Sequence, residues 1–183
     1  MDDQTRFDRD GASPMEDGQQ RALRSMMGRF ATGVTVVAAR HGPLLAGMTA
    51  NAIATISIDP PLLLASVNHR SETHTAIVQS HAFAVSVLSD RQRAVADCFA
   101  QPTTADKLRR FCDAPWHEGE TGSPILEGAI AYFDCRVTAR HEGGTHSVFI
   151  GEIVAGGYDP SVEPLIWFGS QYRALDPAGE VNR

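Results

Sequence analysis

Three stretches of the chain gather residues able to hold or transform a ligand. In the first, Gly47-Met48-Thr49-Ala50-Asn51 is followed by Thr55-Ile56-Ser57, so that small and hydroxyl-bearing residues line an extended segment. Main-chain amides and short side chains there can meet the polar rim of a flat ligand. The same residue types are ordinary in turns and edge strands, and that plainer reading stays open. In the second stretch, Asn68-His69-Arg70-Ser71-Glu72-Thr73-His74, Ser71 stands where a helix N-cap belongs. Free amides, two hydroxyls and the Arg70 guanidinium would then meet where the helix dipole favours an anion. A simple cap, with Glu72 complementing the dipole, explains the same residues. The third is His146, which follows Gly143-Gly144 and precedes an apolar run. It stands at a hairpin mouth from which a side chain can reach a cleft, or at which it faces solvent. Trp116, Trp167 and Tyr172 are available either for ring stacking or for a core or interface role.

Other chemistries find less support. His69 and His74, like His141 and His146, are spaced five apart, so neither pair shares a helical face as a zinc pair does, and no metal site is expected. No G-x-S-x-G places a nucleophile on a strand-to-helix turn. No G-x-G-x-x-G follows a strand. The net charge of -6, with no long basic run, argues against nucleic acid and against a polybasic membrane contact. The three cysteines, Cys98, Cys112 and Cys135, are odd in number, widely spaced and without CxxC, and read as reduced residues of a cytoplasmic protein. Every apolar run is interrupted too soon to cross a bilayer.

The elements that would position these residues are mostly short strands. Leu23, Met26, Met27 and Phe30 recur at helical spacing, predicting an amphipathic helix over Gln19 to Phe30 packed on the body. Val34 to Ala39 and Leu44 to Met48 read as a hairpin turning at His41-Gly42-Pro43. Pro60-Pro61 must interrupt regular pairing, and Leu62 to Val67 resumes as a buried strand. A helix from Ser71 to about Gln79 is followed by a strand over Phe83 to Leu88. A helix over Asp90 to Phe99 and a second helical piece over Ala105 to Phe111 come next. Trp116 to Pro124 reads as a Gly-rich turn region. Strands over Ala129 to Ala139 and Ser147 to Ala155, then Pro164 to Phe168, complete the pattern, with a closing turn from Gly169 to Arg173. Many short strands with hairpin spacing predict a mainly β protein with flanking α-helices, an antiparallel barrel with helices outside. One domain over residues 19–175 is expected, between a disordered N-terminal tail, 1–18, and a C-terminal tail, 176–183.

Read together, several ordered blocks resemble the flavin reductase family of two-component flavin-dependent monooxygenases. They are Phe30-Ala31-Thr32-Gly33-Val34-Thr35-Val36-Val37, Gly47-Met48-Thr49-Ala50-Asn51, Thr55-Ile56-Ser57-Ile58-Asp59-Pro60-Pro61-Leu62, Ser71-Glu72-Thr73 and Phe83-Ala84-Val85-Ser86-Val87-Leu88. The Phe99-Ala100 and Lys107 region, Gly144-Thr145-His146, Phe149-Ile150-Gly151-Glu152 and Tyr172-Arg173 follow in the family's order, so the resemblance spans roughly Leu23 to Arg173. It implies an FMN-binding split β-barrel, antiparallel and homodimeric, with each flavin near the subunit interface. Met48, Thr49, Ala50, Asn51, Thr55, Ile56 and Ser57 would line the flavin ring. Val67, Asn68, Arg70, Ser71 and Thr73 would hold the ribityl and phosphate end, with Lys107 also in the cofactor-binding set. His146 would stand by the nicotinamide as the catalytic residue, and Tyr172 near the outer edge. Two positions depart from the family pattern: Thr145 stands where Asp is common before the histidine, removing a carboxylate that could orient the ring, and Thr55 replaces a frequent serine.

The activity this resemblance implies is reduction of FMN or FAD by NADH or NADPH, hydride passing from nicotinamide C4 to flavin N5, to supply a separate monooxygenase component. The readings that compete with it are a noncatalytic flavin- or haem-binding module on the same barrel, and a reductase of a non-flavin acceptor. Flavin-dependent oxidation of NADH or NADPH separates the first, and acceptor profiling the second.

Overall fold

The structure is a computed structural model and describes residues 16–101 and 111–175. Both expected tails lie largely outside these residues, as do Lys107 and most of the predicted helical piece before Phe111. Helix α1, Asp17–Met27, begins two residues before the predicted start and ends three before the predicted end. It was expected to pack on the body, but it has no buried residue: Met26, Met27 and Phe30 stand exposed within this chain.

Seven strands form the main antiparallel sheet: β2, Thr35–His41; β3, Leu44–Ala50; β4, Ile53–Ile58; β5, Pro61–Asn68; β6, Ala82–Val87; β9, Ala131–Gly143; and β10, His146–Tyr158. Their order is β3-β2-β6-β9-β10-β5-β4. The two edges, β3 and β4, are consecutive in the chain and joined only by Asn51 and Ala52, yet they do not pair. A sheet whose first and last strands are so closely tied must curl on itself, leaving a split where the ladder is open. Short strands β1, Thr32–Gly33, β11, Ile166–Phe168, and β12, Gln171–Arg173, make a separate three-stranded sheet in the order β1-β11-β12. The stretch expected to be turn after Trp116 contains instead a small hairpin of β7, Trp116–Glu118, and β8, Pro124–Leu126. Its turn residues, Gly119 to Ser123, were legible, but three-residue arms are too short to show a period.

Helix α2, Glu72–Ser80, fills the curl, packing on β2, β3, β5 and β6 with Ala76 and Ile77 fully buried. Around it lie Val37, Ala39, Leu63, Ala65, Val67, Phe83, Val85 and Phe149. On the opposite face Val34, Val36 and Ala38 meet Leu88, Ala96, Phe99, Phe111 and Leu126. Val36 to Ala39 of β2, covered on both faces, form a continuous apolar run; β5, half-covered, alternates instead. A single turn at Asp90–Gln92 leads into helix α3, Arg93–Phe99, where one continuous helix was predicted.

Contrary to the expectation of reduced cysteines, two of them are paired. Cys98 of α3 and Cys112 form a disulfide, with Cα atoms 6.0 Å apart, leaving Cys135 as the free, buried cysteine. Spacing in sequence could not reveal this pair, because the turn that returns the chain to α3 is made by Phe111, Cys112 and Asp113 in left-handed backbone conformations, with φ of 51°, 57° and 50°.

Candidate functional site

The split in the barrel is where ligand-binding residues collect. Strand β3 bonds only to β2, so half of its peptide groups face out of the ladder. Against that edge opens a cleft of about 330 Å³, lined by Met48 and Thr49 of β3, by Asn68, Arg70, Ser71, Glu72 and Thr73 at the β5–α2 corner, and by Phe99, Ala100 and Gln101 past α3. Gly47 also lines it, and its lack of a side chain is required: a Cβ there would come within 2.8 Å of the Phe99 ring and 3.1 Å of Phe111. An apolar slot of about 190 Å³ adjoins the cleft, sharing Thr49 and Ala100 with it; Val34, Ala50, Asn51, Trp167 and Tyr172 complete its walls. Cleft and slot together make one groove with a polar end and an aromatic end.

The polar end is built by helix capping. Ser71 Oγ accepts the His74 amide at 3.0 Å and donates to the Asn68 carbonyl at 2.8 Å. The amides of Glu72 and Thr73, in the first turn, have no intrahelical acceptor and point toward the N-terminal end of α2. Asn68 Oδ1 accepts the Arg70 amide at 2.9 Å, fixing the corner. Among the described residues no carboxylate lies within ion-pair distance of the Arg70 guanidinium. Ser71 is thus the cap, and the corner it shapes carries the Arg70 guanidinium and the first-turn amides, with Glu72 also on the cleft wall. Thr73 is buried but reaches the cleft wall.

The aromatic end is held by α3. Tyr172 Oη donates to Asp97 Oδ1 at 2.8 Å, its ring meets Trp167 edge-on at 5.0 Å, and the Arg93 guanidinium lies 5.0 Å from its centroid on a cation–π contact. Burial, and then the Asp97 carboxylate, push the phenol up to about 12, so it remains a donor. Thr49 Oγ1 donates to the Ala96 carbonyl at 2.6 Å, tying β3 to the same helix. Trp167 had been singled out only as one of several aromatics. Arg93 and Asp97 were missed altogether, since their i, i+4 spacing reads as an ordinary surface pair.

Not every predicted residue joins the groove. Val67 is fully buried in the core around α2, so its side chain faces away from any ligand. Thr55, Ile56 and Ser57 lie on the other edge strand, β4, and line neither cleft nor slot. His146 is also outside both, half-buried at the start of β10, although its register partner on β5 is Asn68 of the cleft. Its Nδ1 is 2.9 Å from Thr145 Oγ1. Thr145 thus supplies a hydroxyl where the related pattern has a carboxylate, and the ring keeps an orienting partner. Beneath it, Ser147 Oγ is 2.9 Å from Nε2 of His74, which burial and then neighbouring His69 and Arg140 hold below the usual imidazole range.

Residues 27–176 match the family model described as a flavin reductase like domain. The chain is 34% identical over 159 residues to the flavin-dependent monooxygenase reductase subunit HsaB of Mycobacterium tuberculosis, covering 86% of this chain and 83% of that one. It is 36% identical over 154 residues to the FMN reductase (NADH) SmoA of Agrobacterium fabrum, covering 83% of this chain and 84% of that one. The solved structure of the Streptomyces globisporus C-1027 NADH:FAD oxidoreductase SgcE6, in complex with NAD and FAD fragments, superposes with a TM-score of 0.81 at 33% identity, over 92% of this chain and 100% of that one. With the curled antiparallel sheet, the open edge strand and these matches in hand, the chain belongs to the flavin reductase family.

Proposed function

We propose that the protein is an NAD(P)H:flavin oxidoreductase that reduces FMN or FAD and supplies the product to a separate flavin-dependent monooxygenase component. The observation that carries this reading is the pair of adjoining cavities along β3, meeting at Thr49 and Ala100, with an edge strand of small residues between an anion-favouring corner and an aromatic slot. A flavin has the same division: a flat, mostly apolar ring with a polar rim, and a phosphate at the far end. NADH as donor, both flavins as acceptors and a monooxygenase as consumer are supported by the names of the relatives.

When flavin and nicotinamide are bound together, the rings themselves supply the chemistry, a hydride transfer. The protein's part is to hold them in reach and in order. Outward-facing peptide groups of Gly47 to Asn51 meet the ring's polar rim, while Trp167 and Tyr172 close its apolar side. The Glu72 and Thr73 amides, with Arg70, hold the phosphate; Ser71, whose hydroxyl is committed to the cap, shapes that corner. His146, oriented by Thr145, positions the nicotinamide or stabilises it electrostatically. No strong acid or base is needed.

Pairing into a homodimer is part of the proposal. Ile58 is 95% exposed and Ile56 half-exposed on the unpaired edge β4, and Phe30 is 75% exposed after α1. Such an apolar edge is a liability unless covered. A second copy covering β4 would bring Thr55, Ile56 and Ser57 into an enclosed setting near a flavin, as the resemblance implies. The test of the anion corner is replacement of Arg70 by alanine, and separately of Ser71, whose cap sets the Glu72 and Thr73 amides: Kd for FMN and FAD rises several-fold more than Kd for riboflavin. Equal losses for all three flavins would remove the phosphate from this corner.

A further inference from the structure

The groove's wall is closed by a feature the flavin reading does not use. Three consecutive non-glycine residues, Phe111, Cys112 and Asp113, adopt left-handed backbone conformations that L-residues disfavour. Runs of this kind persist only where the surroundings over-determine them, and they collect at switch regions and sites. Here the surroundings are the Cys98–Cys112 disulfide and the edge-on contacts of Phe111 with Phe99, at 4.9 Å, and with Trp116, at 5.9 Å. Cys98 and Cys112 are each half-buried, Cys112 while packing on the core, whereas Cys135 is fully enclosed.

Cys98 lies between residues that build the site. Ala96 receives the Thr49 hydroxyl, Asp97 receives the Tyr172 phenol, and Phe99 and Ala100 wall the cleft. Phe99 and Phe111 together fill the space that Gly47 leaves open. We infer that Cys98–Cys112 is a thiol–disulfide exchange site whose state, set by a dithiol reductant, controls the wall of the flavin groove. In the exchange one thiolate of the dithiol attacks one cysteine sulfur, breaking the Cys98–Cys112 bond, so that the other cysteine leaves as a thiolate and a mixed disulfide remains. The dithiol's second thiolate then displaces the attacked cysteine. The protein gains two electrons and two protons as two thiols, and the reductant leaves as its own disulfide. Released from Cys98, the left-handed turn relaxes, Phe111 withdraws from Phe99, and the wall from Phe99 to Gln101 loses its backing.

This inference rests on the groove being the flavin site, so its test reads the clasp and the flavin separately. Protein purified without reductant and then unfolded should show one reactive thiol of its three cysteines, and all three after dithiothreitol. Native protein treated with dithiothreitol should show a shift in Trp116 emission, isolated in a Trp167→Phe background. In the wild-type chain, treatment should raise Kd for flavin by at least about five-fold, the low end of ordinary coupling between sites. The double variant Cys98→Ser with Cys112→Ser should match the treated protein and ignore dithiothreitol; Cys135→Ser should keep the full response. Three reactive thiols before reduction, or reduction that moves neither Trp116 emission nor flavin affinity, would overturn the inference. An emission response without flavin binding in either state would uphold the clasp and overturn the flavin assignment.

Discussion

In the proposed reaction His146 is the residue beside the nicotinamide, although it lines neither the cleft nor the slot. The resemblance pattern lacks its carboxylate here, yet Thr145 Oγ1 sits 2.9 Å from Nδ1 and keeps the imidazole oriented. His146→Ala should therefore lower kcat/KM for NAD(P)H by about ten-fold, equivalent to about 1.4 kcal/mol of transition-state binding, without abolishing turnover. An unchanged rate of flavin reduction in that variant would take His146 out of the mechanism. Residue types were the most legible level of the site: Met48, Thr49, Asn68, Arg70, Ser71 and Thr73 all line one cleft. Ala50, Asn51 and Tyr172 line the adjoining slot. Side-chain direction was not legible. Val67 is two residues from Ala65 and shares its inward face, a period-two consequence that places its side chain in the core rather than at a ligand.

At the scale of elements, α2 and the β7–β8 hairpin show how buried polar groups fix what apolar packing leaves loose. Asp134 of β9 is fully buried and accepts the main-chain amide of Thr121 at 2.8 Å together with the Thr121 hydroxyl, so one carboxylate anchors the hairpin turn. Asp134→Ala strands those donors and should cost roughly 1–3 kcal/mol in urea unfolding, with Asp134→Asn losing less. A cost within error of zero for the alanine variant would mean the turn is held by something else. Helix α2 carries a pH response. Burial, His69 and Arg140 hold His74 below 6.5 in the folded state, with Glu142 opposing them more weakly. The unfolded chain then binds the extra proton first, so stability is full above 6.5 and declines as pH falls through and below it. His74→Gln should flatten that part of the Tm-against-pH curve, and an unaltered slope would contradict the assignment. The cap at Ser71 was readable because capping is a local rule. The Cys98–Cys112 pair and the left-handed turn that makes it were not, since no local rule brings residues 98 and 112 together.

For the whole molecule, the informative fact is a sheet that curls without closing. Hairpin spacing predicted an antiparallel barrel, but strand order is a long-range property, and only the pairing pattern reveals that β3 and β4 are both edges. In the proposed function the open β3 edge offers a ring's polar rim main-chain partners, and the open β4 edge, with Ile56 and Ile58 exposed, is where a second copy would dock. The proposed reaction in the groove is reduction of a flavin by a nicotinamide. Anaerobic titration of the protein and one equivalent of flavin with NADH, and separately with NADPH, tests it for FMN and for FAD. At least one donor should bleach the flavin's visible absorbance stoichiometrically, at a rate far above that of the same mixture without protein. Absorbance that stays at the protein-free rate with both donors and both flavins would contradict the proposed reaction.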